Sequence, residues 1–570
     1  MGKKIILIVS LLVPFLGWAQ RQKFQINGAA RGYYFVNRLE IDPELDSITT
    51  RKANYGHTLF DMGVSVFPNE STEVEGIFRI RNELGGFWGG GVAFDVRQLT
   101  LRGVAGKVVR YELGDIDLSM TPYTLQNFQE EGVVNEADVF ALRRDVVHYD
   151  MFYQNDTWRM QGAQTSFGLS FDKFIKGLDV SSFLTRQRPT DGIRQPERLF
   201  GGGTLTLIQS DRLQLGLNSV NIFDLQRTIP DSIQYKNNVH TGILKFNQPL
   251  NEKIKLGLEA EGGISNARYV NYRDPKAPEK RNEWFYDAAA KLDLPTTGIS
   301  ITGGYKDIGA DFLSPGAQTK RINFGRFPGL FQQITNNASG RPASYTDFIS
   351  GATDNSYRIS EQLMPYVAAY TYSNPYGLAT PNRRGAYLKA ERLDSTGFRK
   401  SFLQAALLTE SRGTGTLEKK RFLLIETGTD WYVNDHLGWK KDIKLDVGLR
   451  YELTRRGGQE FEQINLGSMM VDAGLSLEVV DNLDLMGGLK LWRAKGNALI
   501  DLRNRYNTIE NFDIVDYDFW ENAYAGGVRY RFNPRNALSA QYQVFNIRHL
   551  DASETDYGIS QFTILFSLAF

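Results

Sequence analysis

The sequence predicts an all-β chain: a transmembrane antiparallel up-and-down β-barrel of about 24 strands, with roughly 22–26 allowed by boundary errors. Three observations carry this prediction. Apolar and polar residues alternate with period two almost from end to end. The connections between the alternating segments are short and long in turn. The chain opens on an export-type segment and closes on a strand whose apolar row runs to the last residue.

Composition removes most other classes. The 570 residues carry Lys+Arg 66 against Asp+Glu 65, a formal charge of +1. That balance offers no electrostatic reason to bind nucleic acid, and no nucleic-acid partner is expected. There are no cysteines, so disulfide scaffolds, Cys-ligated zinc, iron–sulfur clusters and thiol catalysis are excluded. Five scattered histidines do not make a His-built metal site. Neither a metal nor a cofactor is expected. Gly 55, Tyr 27 and Phe 35 lean towards β structure.

Along the chain, residues 1–19 read as a cleavable signal peptide. Lys3 and Lys4 precede an apolar run from Ile5 to Phe15, too short for a retained span, and Gly17-Trp18-Ala19 supplies small residues for cleavage. The remainder, 20–570, reads as one barrel domain without a linker, charge block or solenoid repeat. Period-two segments lie at 59–66, 74–81, 254–261, 284–294, 423–433 and 538–544. The clearest is 443–453, where Ile443, Leu445, Val447, Leu449, Tyr451 and Leu453 alternate with Lys444, Asp446, Gly448, Arg450 and Glu452. Residues 467–479 repeat the pattern, with Asp472 and Glu478 on the polar face, and 524–532 set Arg529 and Arg531 against an aromatic face. By the same alternation Arg79, Arg81, Lys255 and Glu259 join Lys444, Asp446, Arg450, Glu452, Asp472, Glu478, Arg529 and Arg531 as residues expected to face a lumen.

Asn533-Pro534-Arg535-Asn536 and Asp481-Asn482 are tight turns, whereas 455–466, 496–518 and 550–558 are longer and polar. Short and long connections alternate back to about residue 176, as in a meander with turns on one rim and loops on the other. Between 119 and 175 the alternation slips by one strand, with 137–154 the expected place. One connection, 307–383, is very long and proline-rich. Together with 120–140 it is the expected filling of a lumen that would otherwise stand open.

Alternation also occurs in soluble sandwiches, so it does not by itself mean a membrane. Export, more than twenty hairpin-linked segments, an unbroken apolar face and the chain end decide together. In the last ten residues Phe562, Ile564, Phe566, Leu568 and Phe570 share one face. This resembles the C-terminal signal of Gram-negative outer-membrane proteins, and in size and style the chain resembles the large outer-membrane barrels of Bacteroidota. The resemblance implies location in the bacterial outer membrane among its lipids, insertion by the barrel-assembly machinery, a periplasmic N-terminus and short periplasmic turns. Phe570, Phe532 and Trp439 would then stand at the periplasmic rim. The alternation starts near Phe24, which leaves no room for the N-terminal plug of TonB-dependent receptors.

No H-E-x-x-H, G-x-S-x-G or P-loop is present, and the glycine-rich 87–91 lacks a strand–turn–helix context. His148, in Asp145–Asp150, is the best of the weak candidates for hydrolytic chemistry; the carboxylate pairs Asp115/Asp117 and Glu259/Glu261 read as wall charges before catalytic or calcium groups. The chain is therefore expected to be no enzyme. The first functional expectation is a porin-like channel for a hydrophilic solute, its lumen constricted by a loop. The alternative is a non-enzymatic assembly or scaffold barrel of a secretion or surface complex, with a protein partner.

Overall fold

In the computed structural model of the chain, the residues described are 23–41, 50–84, 92–125, 134–152, 159–190, 192–193, 196–225, 234–270, 280–318, 359, 362–363, 366–393, 400–504, 506–550 and 556–570. The expected signal peptide, the glycine-rich 87–91 and the 319–358 part of the long connection lie outside them, as does the His148 side chain.

Alternation of the kind just described forces extended backbone, and an extended backbone facing lipid must satisfy its N–H and C=O groups by closing on itself. The sheet does so. Its strands are β1 (Phe24–Ile41), β2 (Thr50–Asn69), β3 (Thr72–Glu83), β4 (Val92–Ala105), β5 (Val109–Asp117), β6 (Arg159–Ser170), β7 (Gly177–Arg188), β8 (Arg198–Ile208), β9 (Leu213–Asp224), β10 (Gln234–Asn251) and β11 (Ile254–Val270). The second half holds β12 (Arg281–Leu294), β13 (Ile299–Ile308), β14 (Arg383–Leu393), β15 (Lys400–Thr409), β16 (Arg421–Tyr432), β17 (Ile443–Arg456), β18 (Ile464–Val480), β19 (Leu483–Arg503), β20 (Ile509–Asn533), β21 (Asn536–His549) and β22 (Tyr557–Ala569). Each strand pairs antiparallel with its neighbours in sequence, and β22 pairs with β1 from Ala29↔Ala569 to Ile41↔Tyr557, so the 22-stranded sheet has no edge.

The count is 22, at the lower bound of the expected range, and the difference has a place. A helix, α1 (Asp138–Phe152), occupies the stretch where the alternation of connections slipped. With that segment read as helix, the strand ends joined by even-to-odd connections all lie at one rim and those joined by odd-to-even connections at the other. A second, short helix, α2 (Asn434–Leu437), forms the β16–β17 turn beside Trp439.

The two faces of the wall differ as lipid and lumen require. On β22 Phe562, Ile564 and Phe566 are exposed on the outside, while Gln561, Thr563 and Leu565 are buried inside. On β17 the inward positions Asp446, Gly448, Arg450, Glu452 and Thr454 are the buried ones. The strands thus bury their polar face, the reverse of a soluble sandwich. The interior is occupied by the chain's own segments: 118–125, α1 with 134–137 before it, 312–318 and 366–382.

Candidate functional site: the barrel lumen

The lumen is built from inward side chains meeting three inward segments. The first begins at Asn135, whose side-chain amide donates to Asp430 Oδ1 at 2.8 Å and to the Thr429 carbonyl at 3.1 Å. Glu136 accepts from Arg144 Nε at 2.6 Å and from Lys490 Nζ at 2.7 Å. Asp138 accepts from Lys444 Nζ at 2.8 Å and Arg529 Nη2 at 3.3 Å. Ala137, Val139 and Phe140 pack on Met486 and Ala523. The approach is close: a Cβ on Gly474 would stand 2.2 Å from Ala137 Cβ, and one on Gly488 2.7 Å from Val139 Cγ1.

The far end of α1 meets the opposite wall. Tyr149 donates its hydroxyl to Asp61 Oδ2 at 2.6 Å and stands among the Arg31, Arg79 and Arg97 guanidinium groups at 5.7, 5.4 and 6.0 Å from its ring centre. Arg97 Nη2 donates to the Tyr149 carbonyl at 2.8 Å, and Arg79 holds Asp61 by two bonds of 2.7 and 2.6 Å. The helix is a strap tied to β16–β20 at one end and to β1–β4 at the other.

Burial works against ionisation of Glu136, but Lys490 and Arg144 outweigh it and pull the carboxyl down to about 2. Burial opposes Asp138 likewise, and Lys444 with Arg529 lowers it below the usual carboxylate range.

The second segment, 366–382, lies on β17 and β13. The Tyr372 and Ser373 amides donate to Glu452 Oε2 at 2.9 and 3.1 Å. Lys306 Nζ, fully enclosed, donates to Asn374 Oδ1 at 3.1 Å and the Leu378 carbonyl at 3.3 Å. The third comprises 118–125 and 312–318. Thr121 donates to Glu261 Oε1 at 2.7 Å, and Asp287 accepts both Tyr123, at 2.5 Å, and Tyr387, at 2.8 Å. An apolar cluster spanning β5–β13 surrounds these contacts towards the long-loop rim.

Two spaces remain. At the long-loop end a cavity of about 610 Å³ is lined by Tyr366, Tyr376, Arg383, Glu410, Arg412 and Lys420 among others. At the turn end of β10–β14 the inward face meets water through cross-strand or same-strand pairs. These are Lys245–Glu259 at 2.9 Å, Lys291–Asp293 at 3.1 Å and Lys389–Glu391 at 2.8 Å, each partner between one third and three fifths exposed. The inward segments stand between the two spaces.

The sequence-predicted lumen residues fall into four settings. Lys444, Asp446, Arg450, Glu452, Asp472 and Arg529 meet the strap or segment 366–382; Lys490 bridges Asp472 and Glu136, at 3.1 and 2.7 Å. Arg531 binds Glu478 at 3.1 Å and Asp484 at 2.8 Å near the turns. Arg79 and Arg81 are buried under the far end of α1. Lys255 and Glu259 share the inward face of β11 but stand in the open space, away from the buried network. The Glu259/Glu261 pair divides: Glu261 ties down Thr121 while Glu259 faces water. Asp115 accepts the Leu99 backbone N–H at 2.7 Å, a bond within the wall. Asp61, Glu136, Asp138, Asp287, Lys306 and Lys490 were not singled out by sequence. In α1 the signal was there: Val139, Leu142, Val146 and Tyr149 recur at helical spacing.

No family model matches the chain, and no curated protein matches it. The solved structures to which it is similar include three from Pseudomonas. OpdO of Pseudomonas aeruginosa is 9% identical over 96% of this chain and 98% of that one, with TM-score 0.35. OpdL of Pseudomonas aeruginosa is 11% identical over 96% and 99%, with TM-score 0.36. A BenF-like porin of Pseudomonas fluorescens is 10% identical over 96% and 99%, with TM-score 0.34. At these scores the solved barrels bear on neither solute nor gating.

Proposed function

We propose that this chain is a porin-like outer-membrane channel for a hydrophilic solute, constricted by its own inward segments. The observation that carries the proposal is the division of the lumen. One part is filled and ion-paired, while the turn end of the β10–β14 wall presents exposed charges that, among the described residues, no inward segment covers. A barrel serving only as a scaffold has no need of a wet charged wall; a solute stepping from water through a pore does. Exposed apolar residues on most outward faces, Leu258, Leu403, Leu475 and Phe562 among them, support a membrane setting, and the long-loop rim would face outwards from the cell. In size and style the reading is that of the large Bacteroidota barrels.

The test is single-channel recording in planar bilayers, with the purified full-length protein and with Gly474→Leu, which pushes on Ala137. The proposal expects small discrete conductance steps that grow in the variant. Absence of current from both proteins, each shown to be folded and inserted, would overturn it.

A further inference from the structure

The outside of the wall carries a second pattern that the channel reading leaves unused. At the long-loop end of β14–β18 one outward row crosses five strands. Arg384 faces Thr409, Thr409 faces Arg421, Arg421 faces Arg455, and Arg455 faces Asn465. Their neighbours Arg383, Leu408, Phe422, Thr454 and Ile464 are buried, which fixes the row on the outer face. One acid, Asp307, stands at the β13 end opposite Arg384, where it accepts the Ser411 hydroxyl at 2.9 Å. Arg421 and Arg455 are exposed, and among the described residues neither has a carboxylate partner. Like charges set directly opposite each other destabilise a sheet unless an anion stands between them. The next row towards the turns is apolar: Ala386, Leu407, Leu423 and Leu453 are paired in the same register, with Leu407 65% exposed. Guanidinium groups therefore sit one residue layer above a surface that acyl chains would cover.

We infer that this row is a docking site for a phosphorylated glycolipid of the surrounding leaflet. Its phosphate would lie on Arg421 and Arg455, its sugar hydroxyls beside Thr409 and Asn465, and its chains along Leu407, Leu423 and Leu453. Arginine suits the phosphate because its planar fork donates two parallel hydrogen bonds. Another outward cation pair, Lys236 opposite Arg268, lacks the combination, because the row beneath it is Asn238 opposite Asn266. The inference rests on the outer-membrane reading proposed above.

The experiment titrates the purified full-length protein in detergent with bisphosphorylated lipid A in mixed micelles and reads bound lipid by native mass spectrometry. The unaltered protein retains lipid. Arg421→Gln/Arg455→Gln weakens retention roughly tenfold, Arg421→Lys/Arg455→Lys keeps the charge and restores only part of it, and Lys236→Gln/Arg268→Gln leaves it within about twofold. Dephosphorylated lipid A binds the unaltered protein no better than lipid A binds the glutamine variant. Inorganic phosphate at the same concentration does not displace the lipid. Equal retention by the glutamine variant, equal binding of the dephosphorylated lipid, or no retention at all overturns the inference. Membrane fractionation tests location separately, so a chain found in the outer membrane that binds no lipid A defeats this inference alone.

Discussion

Gly474 and Gly488 seat the strap, because any side chain on either would occupy the space of Ala137 or Val139. Gly474→Leu is expected to weaken strap docking by about 1–3 kcal/mol, the usual cost of overpacking; faster hydrogen exchange across 134–146, with exchange at β22 unchanged, checks it. Glu136 makes the same docking pH-dependent. Its carboxyl is lowered from 4.5 to about 2, so its contribution is complete above the ordinary value and is lost as pH falls through the folded value. The protection factors of the strap amides should therefore be flat from pH 8 to about 5 and fall only below about 4. Glu136→Gln should remove about 2 kcal/mol of docking at neutral pH, leaving Lys490 and Arg144 without their shared partner. An exchange profile unchanged by the variant would dismiss Glu136 as an anchor. The charged residues at 444–452 were legible because strict alternation fixes a face. Their partners were not: Lys444 meets Asp138 across 306 positions of sequence, and periodicity carries no information on such a pairing.

At the scale of elements, β22 closes the barrel, and the residue that follows it is part of the closure. Phe570 exchanges backbone bonds with Gly28, at 3.1 and 3.0 Å, and its ring stacks on Phe60 at 5.8 Å. Phe570→Ala should lower the yield of heat-modifiable, folded barrel severalfold in cells while leaving the strap contacts of any folded fraction intact; an unchanged yield would limit Phe570 to ordinary packing. Most strands were legible as elements, since a lipid-facing row and a water-facing row must alternate for a whole crossing. The helix was missed for a physical reason. Asp138–Phe152 is only weakly amphipathic, with Arg144 ion-paired and partly buried on one side and Val139 and Val146 on the other. Its apolar stripe is too thin to stand out beside β segments. The shift in the alternation of connections marked its place more clearly than its own composition did.

For the whole molecule, near-neutral charge has a structural counterpart. The open wall carries three base–acid pairs, Lys245–Glu259, Lys291–Asp293 and Lys389–Glu391. A pore so lined should discriminate little between small cations and anions, with a reversal potential near zero in a potassium chloride gradient. The architecture was legible in the sequence because closure, amphipathic alternation and chain-end pattern all demand one another. The division of the lumen into a filled part and an open turn end at β10–β14 was not, since it depends on where 118–125, α1 and 366–382 come to rest. The account thus stands on solute passing the exposed turn end of the β10–β14 wall, and reversal potential in planar bilayers tests that most directly. In Lys245→Glu/Lys291→Glu/Lys389→Glu, ions moving along this wall would meet three inverted charges, and the potential should shift clearly towards cation selectivity. A variant that conducts with the selectivity of the unaltered protein would contradict the account.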